Sequence, residues 1–209
     1  MTHDLLAELR RARVVPVIRT ASAAHARTAV DWLREAGFTV FEITMTVPDA
    51  PALMRRLAAE QGLLVGAGTV PDVDAARACL DAGARFIVTP WVDPAVIAAT
   101  RAAGALPLPG TMTPTEIRAA VAAGAEAVKI FPAASAGGPG HVKALRAVFP
   151  GLPFCPTGGV DAANAPAYFD AGADFVGMGG KLVDETRIAS GDKAAILRAA
   201  RDSLGLMQA

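Results

Sequence analysis

The feature of this 209-residue chain that most restricts its fold is a short repeat built around Ala-Gly. Copies occur at 35–38, 81–84, 102–105, 123–125 and 170–173, each between an Ala-rich amphipathic stretch and a short apolar run. Glycine adopts the left-handed conformation at the end of a helix at little cost. Each copy therefore predicts a helix end followed by a strand.

Eight apolar runs read as strands. Five follow the repeats (VFEIT, FIVTP, LPLPG, AVKIFP and FVGMGG), and three more lie at 14–19, 64–69 and 154–159. Apolar strands that alternate with amphipathic helices are typical of a parallel sheet covered by helices. Eight such units predict an α/β fold of the (β/α)8 TIM barrel type, with residues 1–209 as a single domain.

An open Rossmann-type sheet is the alternative architecture. The Gly66-Ala67-Gly68 segment lacks the third glycine of the dinucleotide fingerprint, since Pro71 stands there, which weakens this alternative. Side-chain oxygens are expected to cap helices at four positions, and a last helix at about 191–205 is expected to close the barrel. The four expected caps are Asp72, Asp93, Thr113 and Asp161.

Charge and composition exclude several classes of partner. The chain is 53% apolar, and its 20 basic residues balance 20 acidic ones. It has no concentrated basic character of the kind that nucleic acids or anionic membranes attract. Cys79 and Cys155 lie in apolar stretches and are expected to be buried thiols in a reducing compartment. Because Asp4 and Glu8 precede any apolar run and no run approaches ~20 residues, the sequence predicts a cytoplasmic protein without signal peptide or membrane span.

Lys129 is the first candidate for chemistry, because it lies inside the sixth expected strand, between Val128 and Ile130. The chain has only four lysines among its 20 basic residues. Burial lowers the pKa of a lysine, and a drop of ~3 units leaves about half of the amines neutral near pH 7. A neutral amine attacks a ketone and forms an iminium ion. The alternative is a lysine whose head reaches the barrel rim or pairs with a carboxylate.

Glu42 is the second candidate, in the second strand between Phe41 and Ile43. If it points inward, it shares the cavity of Lys129 and can transfer protons during iminium formation. The alternative is a structural ion pair with Lys129 or Arg19, and the two roles are compatible.

Further candidates lie at the carboxyl ends of the strands, where barrel active sites are found. Glycine pairs follow strands seven and eight and allow the backbone to approach a phosphate closely. These pairs are Gly158-Gly159 and Gly179-Gly180. Strands one, three, four and seven end at Arg19, Thr69, Pro90 and Thr157. The cation and the hydroxyl groups among these four residues suit a carboxylate substrate.

Metal and cofactor chemistry lacks a motif in this sequence. The three histidines, His3, His25 and His141, show no ligand spacing, so a zinc-dependent aldolase is not expected. There is no GxSxG elbow and no Walker loop. We expect no cofactor and no metal.

Taken in order, the segments VVPVI, FEIT, VGAGTV, FIVTP, LPLPG, AVKIFPA, FCPTGG and VGMGG resemble the 2-keto-3-deoxy-6-phosphogluconate (KDPG) aldolase family over nearly the whole chain. The resemblance implies a homotrimeric barrel that cleaves KDPG to pyruvate and glyceraldehyde 3-phosphate. It implies Lys129 as the Schiff-base lysine, Glu42 as the general acid/base and Thr69 as a contact for the pyruvate carboxylate. It also implies that Pro90 and Phe131 line the pocket, that Thr157 meets the sugar hydroxyls, and that the phosphate lies near Gly158, Gly159, Gly179 and Gly180.

The chain departs from the family pattern at two positions. Thr46 stands where gluconate-type members often carry an arginine clamp for the carboxylate, and Arg19 is expected to replace it, as an arginine does in the galactonate branch. Gly180 stands where many members carry a phosphate-site serine. The resemblance thus leaves 2-keto-3-deoxy-6-phosphogalactonate as an alternative substrate, and 4-hydroxy-2-oxoglutarate as a further one.

Two rival functions follow from the same residues. One is a sugar-phosphate epimerase or other phosphate-binding barrel, which would use Lys129 and Glu42 only for proton transfer. The other is a non-enzymatic binding protein that retains the barrel. The presence of Lys129, Glu42 and both glycine pairs argues against the second rival.

Overall fold

The computed structural model describes residues 2–207, apart from the side chains of His3 and Met207. All eight apolar runs form strands, and the fifth is divided at Pro109. The strands are β1 Val14–Ile18, β2 Val40–Thr44, β3 Leu64–Gly68, β4 Phe86–Val88, β5 Leu106–Leu108, β6 Gly110–Thr111, β7 Val128–Ile130, β8 Phe154–Pro156 and β9 Val176–Met178.

Helices separate the strands along the chain, so the fold belongs to the α/β class. They are α1 Thr2–Ala12, α2 Ala23–Ala36, α3 Ala50–Ala58, α4 Val73–Asp81, α5 Pro94–Ala102, α6 Pro114–Ala122, α7 Gly138–Val148, α8 Ala165–Asp170, α9 Glu185–Ala189 and α10 Lys193–Leu204. A 3-10 turn, Gly205–Met207, follows α10, which occupies the place expected for the last helix. No helix within residues 2–207 is long and apolar enough to cross a membrane.

The strands form a curled parallel sheet in two pieces. One piece has the order β5-β4-β3-β2-β1-β9, and the other has the order β6-β7-β8. Pro109, which has no N–H to donate, separates β5 from β6, and a parallel bridge between Thr157 and Gly177 connects the end of β8 to β9. The first strand pairs with the last one, which is not the order of the Rossmann-type alternative.

The glycines of the repeat end helices as predicted. All five have a left-handed backbone with φ between 72° and 116°: Gly37, Gly83, Gly104, Gly124 and Gly172. At Gly37 the backbone N–H donates to the carbonyls of Leu33 and Arg34, which closes the last turn of α2. The repeat is therefore a set of helix stops, each of which returns the chain to the sheet.

Three of the four predicted caps are confirmed. Asp72, Asp93 and Thr113 each accept a hydrogen bond from a backbone N–H in the first turn of a helix. The prediction for Asp161 was wrong, because α8 begins only at Ala165. Asp161 instead closes a tight turn that precedes the helix.

The amino-terminal segment forms helix α1, which precedes the first strand. Helix α1 buries Leu5, Leu6 and Leu9 on one face. These leucines join the cluster inside the curled sheet. The helix therefore packs against the end of the sheet interior that these leucines fill, and the opposite end is left for the candidate site.

Alternate strand residues face opposite sides of the sheet. One buried cluster fills the interior, with Val15, Val40, Leu64, Phe86, Leu106 and Phe175. The other lies between strands and helices and contains both sequence neighbours of each candidate, namely Phe41, Ile43, Val128 and Ile130. Glu42 and Lys129 consequently point into the interior.

Candidate active site

Lys129 lies inside the curled sheet and is only 4% exposed. Its Nζ atom sits 4.5 Å from the centroid of the Phe131 ring, within the range of a cation–π contact. Thr111, which the sequence interpretation did not single out, donates from its hydroxyl to the carbonyl of Lys129 at 3.0 Å and steadies this strand. The amine is therefore held inside the fold, and the alternative of a lysine head at the rim is wrong.

Glu42 is the buried acidic partner of this site. Its side chain is 3% exposed, and its Oε1 atom has no hydrogen-bond partner among the described residues. Burial raises the pKa of this carboxyl, while the positive charges of Lys129 and Arg19 offset part of that rise. A carboxyl group with a raised pKa and a free oxygen holds a proton more readily than an exposed carboxylate does, which suits it to give as well as take protons.

Glycines on β3 make room for the side chains of the interior. A Cβ atom at Gly68 would overlap Oε1 of Glu42, and one at Gly66 would overlap the ring of Phe86. Only glycine fits at these two points with the present positions of Glu42 and Phe86. The sequence interpretation considered these glycines only as a dinucleotide fingerprint, although glycine at alternate positions of a strand is a signal for space inside a sheet.

Arg19 and Thr69 meet at the carboxyl ends of β1 and β3. Nη2 of Arg19 donates to Oγ1 of Thr69 at 2.9 Å, and Arg19 is otherwise exposed. Thr69 has φ of 53°, a conformation that is strained for a β-branched residue. Thr46 is exposed, and its hydroxyl lies 2.7 Å from that of Thr44. Of positions 19 and 46, only position 19 therefore carries a cation.

Thr157 and Cys155 bring β8 into the same interior. Cys155 is the register partner of Lys129, and its sulfur lies 3.6 Å from Oγ1 of Thr157. Burial raises the pKa of the Cys155 thiol to about 12, so that it remains protonated and unreactive. Thr157 is 6% exposed. It therefore places a buried hydroxyl directly after β8, the strand that pairs with the strand of Lys129.

Pro90 and Phe131 border the interior from the ends of β4 and β7. The backbone of Pro90 lies against Gly110, where a Cβ atom would come within 2.5 Å of it. Gly110 is in turn the register partner of Lys129. Both Pro90 and Phe131 are partly buried, and the ring of Phe131 lies beside the amine.

The glycine pairs lie where the sequence places them, after β8 and β9. Gly158, Gly159 and Gly180 have φ of 92°, 80° and 34°, which glycine adopts without strain. The carbonyl of Gly158 accepts from the N–H of Ala134 at 3.0 Å. The Gly159 carbonyl accepts from Nδ2 of Asn164 at 2.8 Å. The first loop is therefore fixed by its neighbours.

An ion pair connects the two glycine loops. Nζ of Lys181 lies 2.8 Å from Oδ2 of Asp161. A cavity of about 220 Å³ lies between these loops and α10, and neither Lys129 nor Glu42 lines it. Its wall includes Val160, Asp161, Met178, Lys181, Leu182 and Ser203.

The two histidines whose side chains are described, His25 and His141, have partners outside this group of residues. His25 pairs with Glu185 at 2.6 Å between α2 and α9, and His141 contacts the carbonyl of Met112 at 2.7 Å. The side chain of His3 lies outside the described residues. Within the described part of the chain, no three His, Cys, Asp or Glu side chains form a group that could hold a metal ion. Cys79 and Cys155 are buried free thiols, as predicted.

Comparison with known proteins places this arrangement among aldolases. A family profile described as "KDPG and KHG aldolase" matches residues 5–199. The 2-dehydro-3-deoxy-phosphogluconate aldolase of Pseudomonas aeruginosa is 35% identical over 197 residues, which cover 93% of this chain and 89% of the relative. A probable 2-dehydro-3-deoxy-6-phosphogalactonate aldolase of Rhizobium meliloti is 38% identical over 172 residues, 81% of each chain.

A solved structure supports the same comparison. The KDPG aldolase of Legionella pneumophila, with pyruvate captured as a covalent carbinolamine intermediate, superimposes with a TM-score of 0.86. It is 30% identical in sequence, and the match covers 94% of this chain and 96% of that one.

Proposed function

This chain belongs to the KDPG and KHG aldolase family, and we propose that it cleaves KDPG to pyruvate and glyceraldehyde 3-phosphate through a Schiff base on Lys129. It is an aldolase and therefore a lyase. The observation that carries the mechanism is the burial of the Lys129 amine in the same interior as the buried carboxyl of Glu42. No metal is needed in this mechanism, because the iminium ion itself accepts the electrons of the breaking bond.

The reaction begins when the Lys129 nitrogen adds to the C2 ketone of the substrate. The resulting carbinolamine loses water and becomes an iminium ion. The C4 hydroxyl then gives up its proton and becomes the carbonyl of glyceraldehyde 3-phosphate, which leaves as the C3–C4 bond breaks. The electron pair of that bond moves into the iminium to form an enamine. Protonation of the enamine at C3 and hydrolysis of the imine release pyruvate and restore the amine.

Glu42 is the proposed proton carrier for these steps, acting through water. It accepts a proton from the C4 hydroxyl and returns one to C3 of the enamine. The raised pKa of its carboxyl supports this role, because an acid/base group works best when its pKa lies near the operating pH. Since Oε1 has no partner among the described residues, it is free to bond a water or the substrate.

The other predicted residues have binding roles in this proposal. Arg19 and Thr69 receive the substrate carboxylate, which their contact at the rim supports. Pro90 and Phe131 line the pocket, and Thr157 meets a sugar hydroxyl. The phosphate binds beside Gly158, Gly159, Gly179 and Gly180, and its remote contacts help to position the reacting bond.

A second candidate substrate is the galactonate epimer, 2-keto-3-deoxy-6-phosphogalactonate. Two observations favour it, namely the 38% identity to the Rhizobium meliloti relative and the presence of an arginine at position 19, in contact with Thr69, while position 46 is a threonine. A pyruvate-release assay that compares the two 6-phosphates on the purified protein decides which epimer is preferred. A family activity on 4-hydroxy-2-oxoglutarate belongs in the same assay.

Borohydride reduction in the presence of pyruvate tests the mechanism. The aldolase mechanism predicts a reduced pyruvate adduct on Lys129, located by mass spectrometry, together with loss of activity. A phosphate-binding epimerase that uses Lys129 only for proton transfer forms no such adduct. Protein that retains activity after reduction with pyruvate would rule out the Schiff base.

The larger architecture belongs to the same proposal. We propose that the two sheet pieces form one closed (β/α)8 barrel in a single domain, supported by the short break at Pro109 and the Thr157–Gly177 bridge. The family resemblance supports a homotrimer, which light scattering would test. A cytoplasmic location is proposed from the composition and the two free thiols.

A further inference from the structure

Lys181 stands at the junction of the two loops to which the phosphate is assigned above. It follows Gly180 directly, and its Nζ reaches Oδ2 of Asp161, two residues after Gly159, at 2.8 Å. The chain has lysine at only four positions, and this is one of them. A positive charge is therefore placed beside the proposed phosphate site by a residue that the assigned functions leave unused.

The two members of this ion pair are not equally fixed. Asp161 is 22% exposed, and its Oδ1 accepts hydrogen bonds from the N–H groups of Ala163 at 2.9 Å and Asn164 at 3.1 Å. The side chain of Lys181 is 81% exposed, and its ammonium group lies at the end of a flexible aliphatic stem. An ion pair this exposed is weak, because water and salt screen it. The ammonium group can therefore change partner while the aspartate stays in place.

Because residue 180 is a glycine, a phosphate bound beside it needs a partner from another residue. Gly180 has no side chain to offer an anion, and a Cβ atom built there meets nothing within 4 Å, so that the space beside it is open. A phosphate monoester carries a charge of about −1.5 to −2 at neutral pH, more than the single charge of a carboxylate. A phosphate at this point attracts the ammonium group of Lys181 more strongly than Asp161 does.

We propose that Lys181 is a specificity-determining residue for phosphorylated substrates, whose ammonium group exchanges its partner Asp161 for the substrate phosphate. This inference rests on the proposed function, because the glycine loops hold the phosphate only in that function. It predicts that Lys181 contributes to the binding of phosphorylated substrates and not to the chemistry at Lys129.

The first test is Lys181→Gln, measured by pyruvate release and by pyruvate trapping. We expect kcat/KM for the phosphorylated substrate to fall about three- to tenfold, the loss of one exposed charge-assisted contact. The pyruvate concentration that half-saturates borohydride trapping should remain within about twofold, since pyruvate has no phosphate. The matched control is Lys193→Gln, which removes another surface ion pair, with Glu35 at 2.6 Å. It should leave both measurements unchanged.

The second test is Asp161→Asn, which separates exchange of partners from a structural strap, that is, an ion pair that only holds the two glycine loops together. Asparagine retains the oxygen that accepts from Ala163 and Asn164, but it releases Lys181. Partner exchange predicts a higher kcat/KM for the phosphorylated substrate, and no such gain when Lys181→Gln is also present. A strap predicts that both single variants lose activity, and that outcome overturns the inference.

Failure of the inference is distinguishable from failure of the proposed function. If pyruvate is trapped on Lys129 but Lys181→Gln does not lower kcat/KM for the phosphorylated substrate, only the role of Lys181 is wrong. If no pyruvate is trapped in the unmodified protein, the aldolase mechanism itself is wrong.

Discussion

At one end of the sheet interior, Leu9, Phe86 and Phe175 are at most 1% exposed and fill the space with apolar side chains. Further along the same interior, β2 and β7 carry Glu42 and Lys129 instead. An apolar interior lowers the free energy of the folded state, whereas buried charges are costly to remove from water. The difference shows that one end of the interior is filled with apolar side chains that stabilise the fold, whereas the other end holds the two buried polar groups to which the proposed mechanism assigns the chemistry.

The largest expected effect is the loss of turnover when Lys129, at the polar end of the interior, is replaced. Lys129→Met should lower kcat by at least about 10⁴-fold, because no other side chain can form the covalent intermediate. Lys129→Arg should be equally inactive, since a guanidinium keeps the charge but is not a nucleophile. Pyruvate release measures both, and circular dichroism checks that both variants fold. The exposed Lys143→Met is the matched control, and activity in either Lys129 variant would refute the mechanism.

Glu42→Gln should lower kcat by about 10²- to 10⁴-fold, the range for loss of a general acid/base. KM should change much less, because the residue acts on protons rather than on binding. Steady-state kinetics separate the two parameters. A variant with unchanged kcat and a raised KM would reassign Glu42 to binding.

Gly68→Ala tests the space that β3 leaves for Glu42. The added methyl group would overlap Oε1 of Glu42 and displace the carboxyl. Misplacing a catalytic group by about 1 Å can cost 10²-fold, so a fall in kcat of about that size is expected. Gly62→Ala serves as a control in a loop, where a Cβ atom meets nothing within 4 Å, although its φ of 79° adds some strain. Full activity in Gly68→Ala would mean that Glu42 does not need the space that Gly68 leaves for its carboxyl.

Leu9→Ala should affect the stability end alone. Leu9 is fully buried in the interior cluster, and truncating a buried leucine costs about 3 kcal/mol of unfolding free energy. Urea denaturation measures the loss. Enzyme that is still folded at 25 °C should retain its kcat within about twofold, and a large loss of kcat would show that the two ends are coupled.

The smallest expected effect is the pH dependence of stability from Glu42. Its pKa in the folded protein is raised above the ordinary value of 4.5, so its protonated form is favoured by folding. The stability that it contributes is present below pH 4.5 and is lost as pH rises through the folded pKa. Glu42→Gln should therefore gain melting temperature relative to the unmodified protein between pH 4 and pH 8. A constant difference across that range would contradict the raised pKa.

The order of the elements could be predicted from the sequence because its signals are local. Five glycines end helices wherever they occur, since only glycine adopts the left-handed conformation cheaply. Caps at Asp72, Asp93 and Thr113 are local hydrogen bonds of the same kind. Asp161 failed as a cap because an equally local alternative, a turn closed by Ala163 and Asn164, took its oxygen.

The sequence by itself determined the order of strands and helices, the glycines at which helices end, and the presence of a lysine and a glutamate inside two strands. Only the tertiary structure decided that Glu42, Gly68 and Lys129 share one interior, that α1 packs against one end of it, and that Lys181 joins the two glycine loops. The physical reason is distance along the chain. Hydrogen bonds within a turn depend on neighbouring residues, whereas burial and its effect on a pKa depend on which distant strands the sheet brings together.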